Sequence, residues 1–358
     1  MFVAWRDLRF AKGRFALMGT VIVLITVLVG LLSGLTAGLG RQNVSAVTGL
    51  PADHLAFARP ADGQKLSFTD SRLTPEQWQE WARVPGVTSA QPLGITTTRA
   101  AAGPRSAALS VFGVPDGSSL APQGALLGPG RAVLSQTAAQ DLGGLRPGDA
   151  FTLAGRPLRV AAVAGDASFS HTPVVWASLT DWQQTAPGGA GHATVVALTT
   201  ASGADLAAAD ARLGTETRSR ADSLAAIGSY TSENGSLQLM RGFLFAISAL
   251  VIGAFFTVWT IQRSGDIAVL KALGASTRYL LRDALGQAVV LLVLGTAAGT
   301  AIAAGAGALI GSAVPFVLDA PTVLVPAAVM ITLGAVGAAL SVRRITSVDP
   351  LTALGSVR

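Results

Sequence analysis

Four long stretches of the chain carry no Asp, Glu, Lys or Arg: residues 15–40, 242–262, 284–318 and 320–342. A helix needs roughly 20 apolar residues to cross a bilayer core of about 30 Å, and each stretch is long enough. A buried helix of a soluble protein would keep a polar face; these stretches have none. The third exceeds the length of one span, so it is expected to end near 314 with a short turn over 315–319. A cleaved signal peptide competes for the first stretch. Its apolar run is longer than the roughly 7–15 residues of such a segment, and no clear small-residue cleavage site follows. The pattern therefore predicts four transmembrane helices, at 15–40, 242–262, 284–314 and 320–342.

The alternation changes character in residues 41–241, which mix short apolar runs with turn residues. Residues 73–87 (LTPEQWQEWARVPGV) predict a helix, with Thr74 as cap, Pro75 in its first turn and Gln77 at box spacing. Residues 109–114 and 132–134 predict strands. Residues 145–163 (LRPGDAFTLAGRPLRVAAV) predict a hairpin, with turns at Pro147-Gly148-Asp149 and Gly155. Further strands are expected at 172–176 and 194–198, and helices at 204–213 and 217–227. The result is an α+β domain inserted between the first and second spans. Residues 217–241 are expected to extend the second span outward as a stalk, weakened at Gly228 and Gly235; a surface helix followed by a linker is the alternative.

Two patterns flank the spans. Residues 1–14 set Phe2, Trp5, Leu8 and Phe10 against Arg6, Arg9, Lys12 and Arg14. This is an amphipathic helix expected to lie flat on a membrane surface, the alternative being a flexible basic leader. Residues 263–283 place Ile267, Leu270, Leu273, Leu280 and Leu281 near helical spacing, interrupted at Gly274-Ala275-Ser276. A short helix, a turn and a second helix would result, either docking in a partner's groove or lying on the membrane.

Charge then orients the spans. Only 13% of the 358 residues are charged, against about 25% in ordinary soluble domains, and mean hydropathy is +0.52. The net charge is +6, which by itself would suit nucleic acid or anionic lipid. Residues 41–241, however, hold 15 basic and 15 acidic residues. The excess lies beside the spans: Arg6, Arg9, Lys12 and Arg14; Arg263, Lys271, Arg278 and Arg282; Arg343, Arg344 and Arg358. Cytoplasmic loops carry the Lys/Arg excess, so both termini, 263–283 and the tail 343–358 are expected inside. The inserted domain and the 315–319 turn are expected outside, and nucleic acid is not an expected partner. There are no cysteines, which removes disulfide, thiolate-metal and thiol chemistry. No P-loop, Ser-His-Asp spacing or HExxH occurs, and none of the three lysines follows a glycine.

Residues 262–276 (QRSGDIAVLKALGAS) resemble the coupling segment R-x-x-E-I-x-x-L-K-A-x-G-A-S of FtsX/MacB-type (type VII) ABC-transporter permeases, and 343–354 (RRITSVDPLTAL) resemble that family's closing segment. The order of one span, a large outer domain and three spans matches too, as does the 145–163 stretch. Gly265 and Asp266 depart from a usual basic residue and Glu. The resemblance implies a permease without ATPase activity and two copies of a separate ABC ATPase that binds ATP and Mg. It implies a second copy of this chain, membrane lipid around both, and mechanotransmission from 263–283 to the outer domain. Arg263, Asp266, Ile267, Leu270, Lys271 and Gly274 would then carry coupling to the ATPase.

The opening residues and the SGLTAGLG end of the first span most resemble the permease of Hrt-type heme exporters of Gram-positive bacteria. This implies heme as transported ligand, with no cofactor of the chain's own. Carboxylates at a membrane mouth commonly mark substrate paths. Glu233, Met240 and Tyr230 are the candidate heme or substrate residues, with Glu233 and Met240 as possible iron ligands. His54, His171 and His192 are further candidate ligands, and Arg41 and Arg241 candidate partners for propionates. Two other readings stay open: a permease for another amphiphile (lipid, lipoprotein or antimicrobial peptide), and a non-transporting regulator of a cell-wall hydrolase.

Overall fold

The structure, a computed structural model, describes residues 12–262, 265, 269, 274–310 and 314–346. The expected surface helix at 1–14 falls almost wholly outside the described residues, as does most of the 343–358 tail. The chain divides into two compact units, one of residues 1–38 and 236–358 and one of residues 39–235.

The first unit is helical. Helix α1 (Lys12–Thr48) begins in this unit and ends in the other; α6 (Tyr230–Gln262) does the reverse. Helices α7 (Thr277–Ile310) and α8 (Ala320–Thr346) complete the unit. All four are long and apolar enough to cross a membrane. Small residues let the helices approach, as in membrane interiors, where no hydrophobic force drives helices together. A Cβ on Gly295 of α7 would meet Ile22 of α1 at 2.7 Å, and one on Gly299 would meet Thr26 at 2.6 Å. Between α7 and α8 the chain turns inward. The Phe316 ring fills the space left by Gly34 of α1 and Gly307 of α7, where an added Cβ would sit 2.3 and 2.2 Å from ring carbons. Thr257 and Ser341 hydroxyls share a hydrogen bond of 2.9 Å between α6 and α8.

The second unit is the α+β domain. Its strands are β1 (His54–Ala58), β2 (Val87–Ala102), β3 (Arg105–Val114), β4 (Arg131–Leu134), β5 (Ala150–Leu153), β6 (Arg156–Val163), β7 (Ser168–Phe169), β8 (Thr172–Ser178), β9 (Val195–Thr200) and β10 (Thr215–Ser219). Its short helices are α2 (Pro75–Trp81), α3 (Gln136–Asp141), α4 (Leu179–Thr185) and α5 (Leu206–Leu213). The sheet runs β10-β1-β9-β2-β3-β8-β4-β6-β5, and β5 pairs again with β2 through Ala100 and Ala101. Six strands therefore close into a ring. Leu109, Val111, Leu134, Phe151, Leu153 and Val160 of those strands share one buried apolar cluster. Strand β2 serves both halves: residues 87–93 pair with β9 and 94–102 with β3.

The chain enters the sheet by β1 and leaves it by β10. These strands are antiparallel neighbours, with His54 opposite Ser219. At that end Arg220 N–H donates to the Asp53 carbonyl at 2.9 Å, and its guanidinium donates to the Leu50 carbonyl at 2.6 Å.

Several sequence expectations require correction. The helix expected at 217–227 is strand β10 followed by a single 3-10 turn at Asp222–Ala226. Thr215 and Thr217 are held there by the Asp210 carboxylate, and the ladder to β1 claims the backbone. The stalk starts only at Tyr230, after Gly228, while Gly235 is accommodated within α6. Strands β1 and β2 were not expected. Helix α2 does carry the expected start, with Gln77 Oε1 accepting from Thr74 N–H at 2.9 Å.

Candidate functional site

The residues that gather chemistry lie where the chain enters and leaves the inserted domain. Three pieces of backbone meet there: the last turns of α1, the β7–β8 hairpin and the first turn of α6. The hairpin turn is Ser170-His171, at φ +48 and +63. Two positive φ values give the right twist for a two-residue hairpin but usually select Asn and Gly, and each costs a non-glycine residue of order 1 kcal/mol. The turn is held in place from outside. Ser170 N–H donates to the Asn43 carbonyl (2.9 Å) and His171 N–H to the Gln42 carbonyl (3.2 Å). Ser45 Oγ accepts from Ser168 N–H at 2.9 Å and donates to its carbonyl at 3.2 Å.

So fixed, the turn presents His171 to Glu233. Its Nε2 lies 2.8 Å from Glu233 Oε2, and the same oxygen accepts from Asn43 Nδ2 at 2.8 Å. Asn43 is buried; the His171 and Glu233 side chains are 38% and 40% exposed. The hydrogen bond from His171 holds the Glu233 carboxyl below the usual carboxylate range. Burial opposes this, while a hydrogen bond from Ser229, the charge of His171 and the Asn43 amide assist it. Glu233 stands outside the uncharged part of α6, which begins at Gly242. The cluster is one carboxylate oxygen shared by an imidazole and a buried amide, with the carboxylate and the imidazole accessible to solvent.

The other sequence candidates are placed as follows. Tyr230 opens α6 and packs, partly buried, against the domain core. Met240 lies two turns beyond Glu233 on the same helix with an exposed side chain. Arg41 is exposed, and the Arg241 guanidinium sits 5.7 Å over the Phe245 ring. His54 and His192 lie elsewhere in the domain, each with a buried Nδ1 that has no partner among the described residues. Of the coupling residues, Arg263, Asp266, Ile267, Leu270 and Lys271 lie outside the described residues. Gly274 forms a turn at φ +92, a left-handed backbone that favours glycine. Sequence reasoning missed Asn43, which carries no periodic signal and becomes a ligand of Glu233 only through the fold.

Residues 15–216 match the MacB-like periplasmic core domain and residues 239–350 the FtsX-like permease C-terminal domain. A protein named as a hemin transport system permease, HrtB, from Staphylococcus haemolyticus is 25% identical over 364 residues, covering 100% of each chain. An uncharacterized ABC transporter permease of Mycobacterium bovis is also 25% identical, covering 99% of each. The extracellular domain of the noncanonic ABC-type transporter YknZ from Gram-positive bacteria is 16% identical, with a TM-score of 0.36, over 47% of this chain and 98% of that one. Since the core-domain family covers more than half of the chain and the permease family the helices that follow, the chain belongs to the FtsX-like permeases with a MacB-like domain and is an ABC-transporter permease.

Proposed function

We propose that this permease exports heme, as one of two copies working with two separate ABC ATPase subunits. The observation that carries the reading is the end-to-end similarity to relatives named for hemin transport. The Glu233 cluster supports it chemically: a solvent-accessible carboxylate beside an imidazole, at the start of a spanning helix, offers oxygen and nitrogen donors to an iron porphyrin. The clustering of Lys and Arg beside the spans supports cytoplasmic termini and an outer inserted domain. In this reading ATP binding to the partner moves residues 263–283, and the motion reaches the inserted domain through α6. Hemin titration of the purified complex, followed by its Soret band, tests the substrate. A saturable shift that weakens in Glu233→Ala or Met240→Ala supports heme at this site. A shift surviving both substitutions moves the ligands elsewhere, and no shift in the wild type overturns the heme reading.

A further inference from the structure

The inserted domain contains a second concavity, apart from the Glu233 cluster and independent of the heme reading. It is a cavity of about 310 Å³ between β2, the 68–72 loop, Phe169 of β7, α4 and the 186–194 loop. That volume lies at the lower end of small-molecule sites. Its apolar wall is Phe68, Ile95, Phe169 and Trp182.

Its polar groups are biased in one direction. Among the described residues no Asp or Glu lines it. The hydroxyls of Ser71 and Thr194 are engaged with backbone, and that of Thr97 pairs with Ser110. The Thr69 and Thr96 hydroxyls, the Arg72 guanidinium, the Trp182 indole and the His192 imidazole remain. The Arg72 side chain lies along Gly188, 3.4 Å from where a Cβ would stand, and has no ion pair or hydrogen bond among the described residues. Trp182 is 5% exposed; its indole Nε1–H and His192 Nδ1 are buried, without a partner among the described residues, and neither atom opens onto the cavity, which Trp182 lines with its ring and His192 with the rest of its side chain. Trp182 cannot turn away, because its ring is pressed on Gly94 and its Cβ on Gly113.

We propose that this cavity binds a small organic carboxylate: the anion on Arg72 and His192, and its apolar body against Phe68, Ile95 and Phe169. An unpaired guanidinium and an apolar wall without any carboxylate favour such a ligand over a cation or a neutral polar molecule.

The test is quenching of tryptophan fluorescence in the full-length protein by 4-bromobenzoate, whose bromine quenches on contact, with uncharged 4-bromobenzyl alcohol as control. The expected result is saturable quenching by the carboxylate alone. It should weaken about tenfold or more in Arg72→Ala, the scale of one charge-assisted hydrogen bond, and less in Arg72→Lys. Arg72 is exposed, so its replacement leaves folding intact. Trp182→Phe should remove most of the quenching amplitude. An identical saturable curve for the alcohol, or unchanged affinity in Arg72→Ala, overturns the proposal. Displacement of the probe by inorganic phosphate at equal concentration overturns the role given to the apolar wall.

Discussion

At the scale of single residues, Glu233 and Trp182 show what the fold asks of a side chain. The folded-state pKa of Glu233 lies below its ordinary value of 4.5. A lowered value means that its contribution to stability is complete above the unfolded pKa and fades as pH falls through the folded one. The melting temperatures of wild type and Glu233→Gln should therefore differ most near neutral pH and converge in acid. The gap should be small, because the pair is partly exposed; a gap that widens in acid would contradict the assigned hydrogen bonds. Trp182 is a packing constraint: a Cβ on Gly94 would lie 2.2 Å from its ring. Gly94→Ala should cost about 1–3 kcal/mol in denaturant unfolding. In a Trp182→Ala background that cost should largely vanish, because the two changes share one contact.

At the scale of elements, legibility followed local pattern. The spans, the 145–163 hairpin and the cap at Thr74 are written in neighbouring residues, since each rests on hydropathy or turn chemistry within one segment. Strand β2 is not. Its sequence, VTSAQPLGITTTRAAA, contains Pro92, Gly94 and runs of Thr and Ala, and it becomes a strand because β9 and β3 flank it. Residues 217–227 misled for the same reason, because pairing with β1 outweighed a mild helical pattern. The candidate site was half legible. Glu233 stood out as a carboxylate near a span, whereas Asn43 and His171 reach it across separations of 190 and 62 residues. Among the membrane helices, Phe316 is the element contact most open to test. Gly34→Val should expel the ring from between α1 and α7 and lower the melting temperature of the detergent-solubilised protein by several degrees. Unchanged melting would mean that the ring does not hold these helices together.

At the scale of the whole molecule, charge placement carries more than total charge. A net charge of +6 on a chain with 15 basic and 15 acidic residues in its inserted domain leaves the excess to the span ends, which in the proposed orientation face the cytoplasm. The proposed coupling function makes a prediction at this scale. Replacing Asp266 and Leu270 with Ala should leave membrane insertion intact while lowering transport in the assembled complex, with ATP hydrolysis by the partner persisting. Transport at the wild-type rate would remove these residues from coupling.

The neighbouring strands β1 and β10 have a mechanical consequence. The chain runs on to both from the same end of one ladder, at the His54–Ser219 pair. A load that drew the two attachments apart would open this ladder like a zipper, one pair at a time from that end, the weakest direction for any sheet. The bonds of Arg220 to Leu50 and Asp53, and of Glu233 to Asn43, straddle the same opening. They act as a clasp on the first tooth. Loads that move both attachments together leave the clasp unstressed and carry the domain as one body, whereas loads that part them are felt first at Glu233.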